Sequence, residues 1–198
     1  MKGKILNRYM EDYPADLVNK GKDRKILYLA TGSTLIFIIY SMVFLEPAGK
    51  CFRLDEGSNS LGLSFSYTLE MVQNFFDLRN QEQLDCYSEF LRIWDILFAI
   101  IYTTMYSSWM MVFIEKRRKL LAFPLLAMIA DWSENLVEVM MINKYTQGEA
   151  ISEMNVMIGS NLNSLKWILQ SITFAILLVG IISKSFLKIK AMKNDSEE

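Results

Sequence analysis

The sequence predicts an all-α membrane protein, a four-helix transmembrane bundle with a small mixed exoplasmic cap between its first and second helices. Three observations carry that prediction. Charges are missing from several long windows of a chain that is 52% hydrophobic. Each window is long enough, at about 1.5 Å rise per residue, to cross a hydrocarbon core of about 30 Å. The 21 Lys and Arg are unevenly distributed around those windows. A net charge of −1 assembled from segregated apolar and charged blocks is the pattern of an integral membrane protein, not of a disordered or nucleic-acid-binding chain.

Residues 1–25 form the first segment. They contain four acids and no apolar stretch of the kind a cleavable signal peptide needs, so the first span serves as its own insertion signal. The segment reads as a short cytoplasmic amphipathic piece near the membrane. The first span covers residues 26–45, with no charge from Ile26 to Leu45. Residues 46–92 then make a connection several-fold longer than an ordinary loop, which implies structure of its own. Within it the alternation Gly62-Leu63-Ser64-Phe65-Ser66-Tyr67 predicts a short strand. Ser66 or Thr68 starts a helix with Leu69, Val72, Phe75 and Phe76 on one apolar face. From Gln81 a second helix, free of Gly and Pro, runs directly into the second span at residues 93–115.

The third span, residues 119–142, is the unusual one, because the apolar stretch Leu120–Ala130 is followed by Asp131, Glu134 and Glu138. A helix lying on a membrane surface would carry Lys and Arg on its polar face, and this one carries acids, so it is read as a span. An outer loop from residue 143 leads to the fourth span at 164–185, which completes a membrane domain of residues 26–186. Residues 187–198 form a frayed cytoplasmic tail. Basic residues then test the topology: seven lie in residues 1–25, four in 115–119 and four in 184–198, leaving six for the other side. With four spans those three segments share one face. The positive-inside rule places both termini in the cytoplasm of a cell or inner membrane.

The chain has no His, which excludes His-ligated zinc, Ser-His and Cys-His nucleophile pairs and haem on a proximal His. Its two cysteines, Cys51 and Cys86, belong to no Cys-x-x-Cys motif, so a disulfide oxidoreductase lacks its reactive pair. Both fall in the outer cap, where they form either a disulfide closing it or two buried thiols. No phosphate-binding glycine loop, esterase elbow or zincin motif occurs, and no cofactor, metal site or catalytic residue is assigned. The basic run Lys116-Arg117-Arg118-Lys119 is explained by anchoring alone.

The polar residues inside the spans carry the functional reading. At about 100° per residue, Asp131, Glu134, Asn135 and Glu138 fall within an arc of about 100° on the third span. Central ionised acids cost about 2.5–3.5 kcal/mol each on insertion scales, so this stripe must face the bundle interior or a hydrated cavity. On the second span Arg92, Asp95, Tyr102 and Tyr106 share a broad face, and on the fourth Lys166 and Gln170 do. If these faces meet, Arg92 and Lys166 lie level with Asp95 and Glu138 and pair with them. Three readings follow. One is a pocket for a small amphipathic lipid or amine. Another is a cation or proton site in a homo-oligomer. The last is a tetraspan scaffold with structural acids and a membrane partner.

The motif Asp131-Trp132-Ser133-Glu134-Asn135, with Trp94-Asp95 and Tyr102 on the preceding span, resembles uncharacterised four-span membrane proteins of bacteria. The resemblance covers about Leu63 to Ile142 and implies a fold without an activity. The layout also resembles the EXPERA sterol-isomerase and sigma-2-type receptor group, whose bundles hold acids around a lipid or amine cavity. The isomerases of that group use a His that this chain lacks. What the resemblance implies is ligand binding at Asp95, Asp131 and Glu134.

Overall fold

The computed structural model describes residues 15–54, 60–114 and 118–194, with side chains over 24–54, 60–114 and 118–186. Its described residues contain helices and turns and no strand. Helix α1, Ala15–Ile39, continues unbroken through a π-helical turn, Tyr40–Leu45, and two short turns ending at Cys51. Its hydroxyls are satisfied within the helix, Thr34 and Ser33 donating to Ala30 O and Ser41 to Phe37 O. The π turn precedes Pro47, which has no N–H to give and whose ring crowds the carbonyl one turn earlier, so the helix loosens there.

In the cap, α2 spans Leu69–Asp77 and α3 spans Gln81–Glu89. Thr68 caps α2 by accepting from Met71 N, and Asn80 with Gln83 forms a reciprocal capping box at α3. From α3 the chain passes through a second π turn, Phe90–Asp95, into α4, Ile96–Phe113. Helix α5, Ala122–Thr146, follows a 3₁₀ turn, and α6 runs over Glu153–Asn194. Between α5 and α6, Gly148 takes φ 76°, while Glu149 N bonds to Lys144 O and Gly148 N to Tyr145 O. That Schellman turn needs only residues 147–152 to reverse the chain. Four helical stretches are long and apolar enough to cross a membrane: Arg24–Cys51, Gln81–Phe113, Arg118–Thr146 and Glu153–Phe186, spans 1 to 4 below.

Helices α5 and α6 pack on each other along their length, α4 packs on both, and α1 packs substantially only on α4 and its extensions. Leu35, Ile36 and Met42 on span 1, Leu136 on span 3 and Phe174 and Val179 on span 4 remain exposed. The cap has its own core, in which Phe52 and Phe75 stack on Tyr87 at 4.7 and 5.0 Å between ring centroids. Arg79 lies over the Phe75 ring at 3.5 Å and donates to Phe52 O and Phe75 O. Burial lowers its guanidinium pKa from the ordinary value. Cys51 and Cys86 are joined in a disulfide with Cα atoms 6.4 Å apart.

Three expectations need correction. The predicted strand over Gly62–Tyr67 is a 3₁₀ turn at Leu61–Leu63 followed by extended chain. It has no neighbouring strand, because side chains of α6 take its backbone groups. Trp167 donates to Gly62 O at 3.1 Å, Asn163 to Ser64 O and Ser164 to Phe65 O, while Ser160 Oγ accepts from Tyr67 N at 3.0 Å. The outer loop from residue 143 is mostly helix, since α5 and α6 extend beyond the apolar windows at that end. The N-terminal segment is no separate piece from Ala15 onward, where α1 has begun; residues 1–14 lie outside the described residues, as do 195–198 of the tail.

Gly159 on α6 makes room for Tyr67. A Cβ there would run into the Tyr67 hydroxyl and stand 3.2 Å from Val137 Cγ1, whereas one at Gly32 on α1 would meet nothing within 4 Å. Gly159→Ala is therefore expected to cost about 1–3 kcal/mol by overpacking, while Gly32→Ala is neutral or stabilising. Thermal unfolding of the pair decides it, and equal tolerance would mean that Tyr67 is not seated on α6.

Candidate functional site

The acid stripe of span 3 faces inward: Asp131, Glu134, Asn135 and Glu138 are all buried. Each meets a partner from another element. Lys166 of α6 bridges Asp131 at 3.2 Å and Glu134 at 2.5 Å and also donates to Gly62 O. Tyr102 donates to Asp131 Oδ2 at 3.0 Å and Tyr87 of α3 to Glu138 Oε2. Asn135 donates to Asp95 Oδ2 at 2.8 Å. Gly62 covers the ion pair closely: a Cβ on it would lie 3.2 Å from Glu134 Oε1 and 3.3 Å from Lys166 Nζ.

Beside this cluster lies a cavity of about 330 Å³, bounded by spans 1 to 4 and the extended cap segment. Of the residues singled out in the sequence, Asp95, Tyr102, Asp131, Asn135, Lys166 and Gln170 line it. Glu134 and Glu138 do not; they sit behind the wall, Glu134 held by Lys166 and Glu138 by Tyr87. The Tyr106 ring lies tilted against Tyr102, 6.1 Å between centroids, and stays out of the cavity. Arg92 is exposed and makes no salt bridge with Asp95 or Glu138. The π turn at Phe90–Asp95 explains the difference, because its wider winding alters the angle between Arg92 and Asp95 that uniform α spacing assumes.

Several wall residues carry no mark in the sequence. Both π turns border the cavity and pack on each other, Ser41 and Leu45 lining it from the first and Leu91 and Asp95 from the second. Phe52, Phe90, Phe98 and Trp167 supply aromatic wall. The Glu46–Arg53 ion pair, bidentate and partly exposed, stands at the end of span 1. Hydrogen bonding to Glu46 raises the Arg53 pKa above its ordinary value. Only Pro47 gave a local cue to the first π turn, and none marks the second.

Carboxyl groups outnumber cations at this site. Asp95, Asp131, Glu134 and Glu138 contribute four carboxyl groups, and among the described residues Lys166 is the one cation bridging any of them. Asp95 lines the cavity with Asn135 as its side-chain partner and no salt bridge. Behind the wall, the Tyr67 hydroxyl is buried without a hydrogen-bond partner. Burial, reinforced by the charges of Glu138 and Glu134, holds its pKa well above the ordinary phenol range, so it remains a neutral donor. No group of three or more His, Cys, Asp or Glu among the described residues is arranged to hold a metal ion. The surroundings join an acidic floor to aromatic and aliphatic walls, which suits an organic cation with an apolar body.

No protein-family model matches the chain, and no curated protein or solved structure matches it either. The reading of the site rests on its own geometry.

Proposed function

We propose that this chain is an integral protein of the cell membrane, with four spans and both termini in the cytoplasm, whose cavity binds a small amphipathic amine. Insertion is supported by the four apolar helices and by the exposed Leu, Ile and Val side chains along them, which water would not tolerate in such number. Orientation is supported by the fifteen basic residues on the termini side against six on the other. The single observation that carries the ligand is Asp95, a carboxylate that lines the cavity while Lys166 is occupied by Asp131 and Glu134. An ammonium group seated beside Asp95 supplies the missing charge, and the Phe98 and Phe90 rings receive the apolar body. Glu134 and Glu138 have a different task in this reading. Fully buried and outside the cavity, they tie span 3 to span 4 and to α3 as intramembrane polar contacts do.

The test uses octylamine and octanol, which share a chain and differ in charge. Octylamine is expected to raise the unfolding midpoint of the detergent-purified protein, with octanol giving little. Asp95→Asn should weaken the octylamine effect by about tenfold or more in apparent Kd. Equal responses to the two probes, or an undiminished response in Asp95→Asn, would remove the basis for an amine site.

A further inference from the structure

The walls of the cavity also say how its occupant is built. Span 1 packs substantially on span 2 alone, while Ser41 and Leu45 of span 1 and Trp167 and Gln170 of span 4 line the cavity together. The cavity is thus flanked by two helices that pack only sparsely on each other, so a cleft between them is the route by which the site would reach the apolar exterior. Exposed Phe44 stands next to Leu45 on one helix, and exposed Phe174 lies one turn from Gln170 on the same face of the other. A ligand that keeps a hydrocarbon chain in the bilayer and a headgroup in the site fits this arrangement without leaving the membrane.

The charges along the cavity have an order. Asp95 stands eighteen residues from Phe113, about 27 Å along span 2, close to the far edge of a hydrocarbon core of about 30 Å. Arg53 follows the end of span 1 by two residues and lines the same cavity, at the depth where lipid phosphates lie. Two of its terminal nitrogens bind Glu46, while its buried Nε has no hydrogen-bond partner. Each terminal nitrogen carries a second N–H, so a guanidinium paired with Glu46 in this way still keeps donors for a phosphate. The cavity therefore offers an anion for an ammonium, a guanidinium for a phosphate, and a cleft for a chain.

We propose that the occupant is a zwitterionic aminophospholipid, its ammonium beside Asp95, its phosphate on Arg53 and an acyl chain in the cleft between spans 1 and 4. This rests on the amine reading above and narrows it. The experiment measures thermal stabilisation of the full chain in a neutral maltoside detergent by dioctanoyl phosphatidylethanolamine, dioctanoyl phosphatidylglycerol, octylamine and free phosphoethanolamine. Phosphatidylethanolamine is expected to act at about tenfold lower concentration than octylamine, and both phosphatidylglycerol and chainless phosphoethanolamine to act at least about tenfold more weakly than phosphatidylethanolamine. Arg53→Gln should erase the advantage of the phospholipid over octylamine and leave the octylamine response intact, whereas Asp95→Asn should weaken both. If octylamine stabilises and phosphatidylethanolamine adds nothing, or Arg53→Gln leaves its advantage unchanged, the amine site stands and the phospholipid assignment falls. If phosphatidylglycerol equals phosphatidylethanolamine, the ammonium is irrelevant and the assignment falls. Equally strong phosphoethanolamine would remove the chain from recognition and overturn the cleft. If none of the four acts, both proposals fail together.

Discussion

Lys166→Met is expected to destabilise the protein by about 3–5 kcal/mol, the largest effect of any single substitution considered. Its ammonium side chain is 8% exposed and bridges Asp131 and Glu134, whose side chains are 5% and 0% exposed. Removing it leaves the buried carboxyls of Asp131, in the cavity wall, and Glu134, covered by Gly62, without their cation. The favourable part of the pair is small, because desolvating three charges offsets much of their attraction, but the penalty for breaking it is large. Reversible unfolding in mixed micelles measures it. The double variant Lys166→Met with Glu134→Gln should lose less than the sum of the two single changes, since a neutral amide replaces one of the unpaired acids. A loss below about 1 kcal/mol for Lys166→Met would mean that the cluster is solvated, as surface ion pairs are, and does not tie span 3 to span 4.

The two halves of this cluster were unequally legible. Asp131, Glu134, Asn135 and Glu138 fall on one arc at helical spacing, and burying intramembrane acids is so strongly required that their inward orientation follows from the pattern alone. Which of them meets the cavity does not follow, because that depends on what covers the stripe. Gly62 and Tyr87 come from the cap, and no periodicity within span 3 announces them. The alternation over Gly62–Tyr67 was a false sign of a strand, since its first residues lie in a 3₁₀ turn and alternation does not report the partner. The partner is a row of α6 side chains, Ser160, Asn163, Ser164 and Trp167, spaced three or four apart so that one helical face meets an extended segment. Arg92 failed for another reason: a π turn changes the winding between it and Asp95, and no Pro or Gly lies in Phe90–Asp95 to signal the change.

Breaking the Cys51–Cys86 disulfide is expected to cost about 3–4 kcal/mol in the chain-entropy view, given a sequence separation of 35. Its consequence for the site follows from where it lies. Span 1 has little packing beyond span 2, and among the described residues its ties there include Trp109 Nε1 to Thr34 Oγ1 at 2.8 Å, Tyr40 to Trp94 O at 2.8 Å, the Phe37–Phe98 ring contact, and the disulfide at the cap end. The Tyr40 bond joins the facing π turns themselves and the disulfide closes span 1 from the cap end beyond them, so its loss should let Leu45, at that end of the turn, withdraw from the cavity wall. Cys51→Ser with Cys86→Ser is therefore expected to lower both the unfolding midpoint and the octylamine response, while Gly159→Ala, which acts through Tyr67 outside the cavity wall, lowers the midpoint and spares the response. Unchanged ligand response in the cysteine double variant would mean that the hydrogen bonds alone position span 1. The same bond bears on the proposed topology, because a persistent disulfide belongs to an oxidising compartment, and the proposed orientation puts the cap outside. In Cys86→Ser the remaining Cys51 is exposed, so a membrane-impermeant maleimide should label it on intact cells. Labelling only after lysis would put the cap in the cytoplasm, reverse the orientation of all four spans, and place the cleft and its headgroup site in the other leaflet.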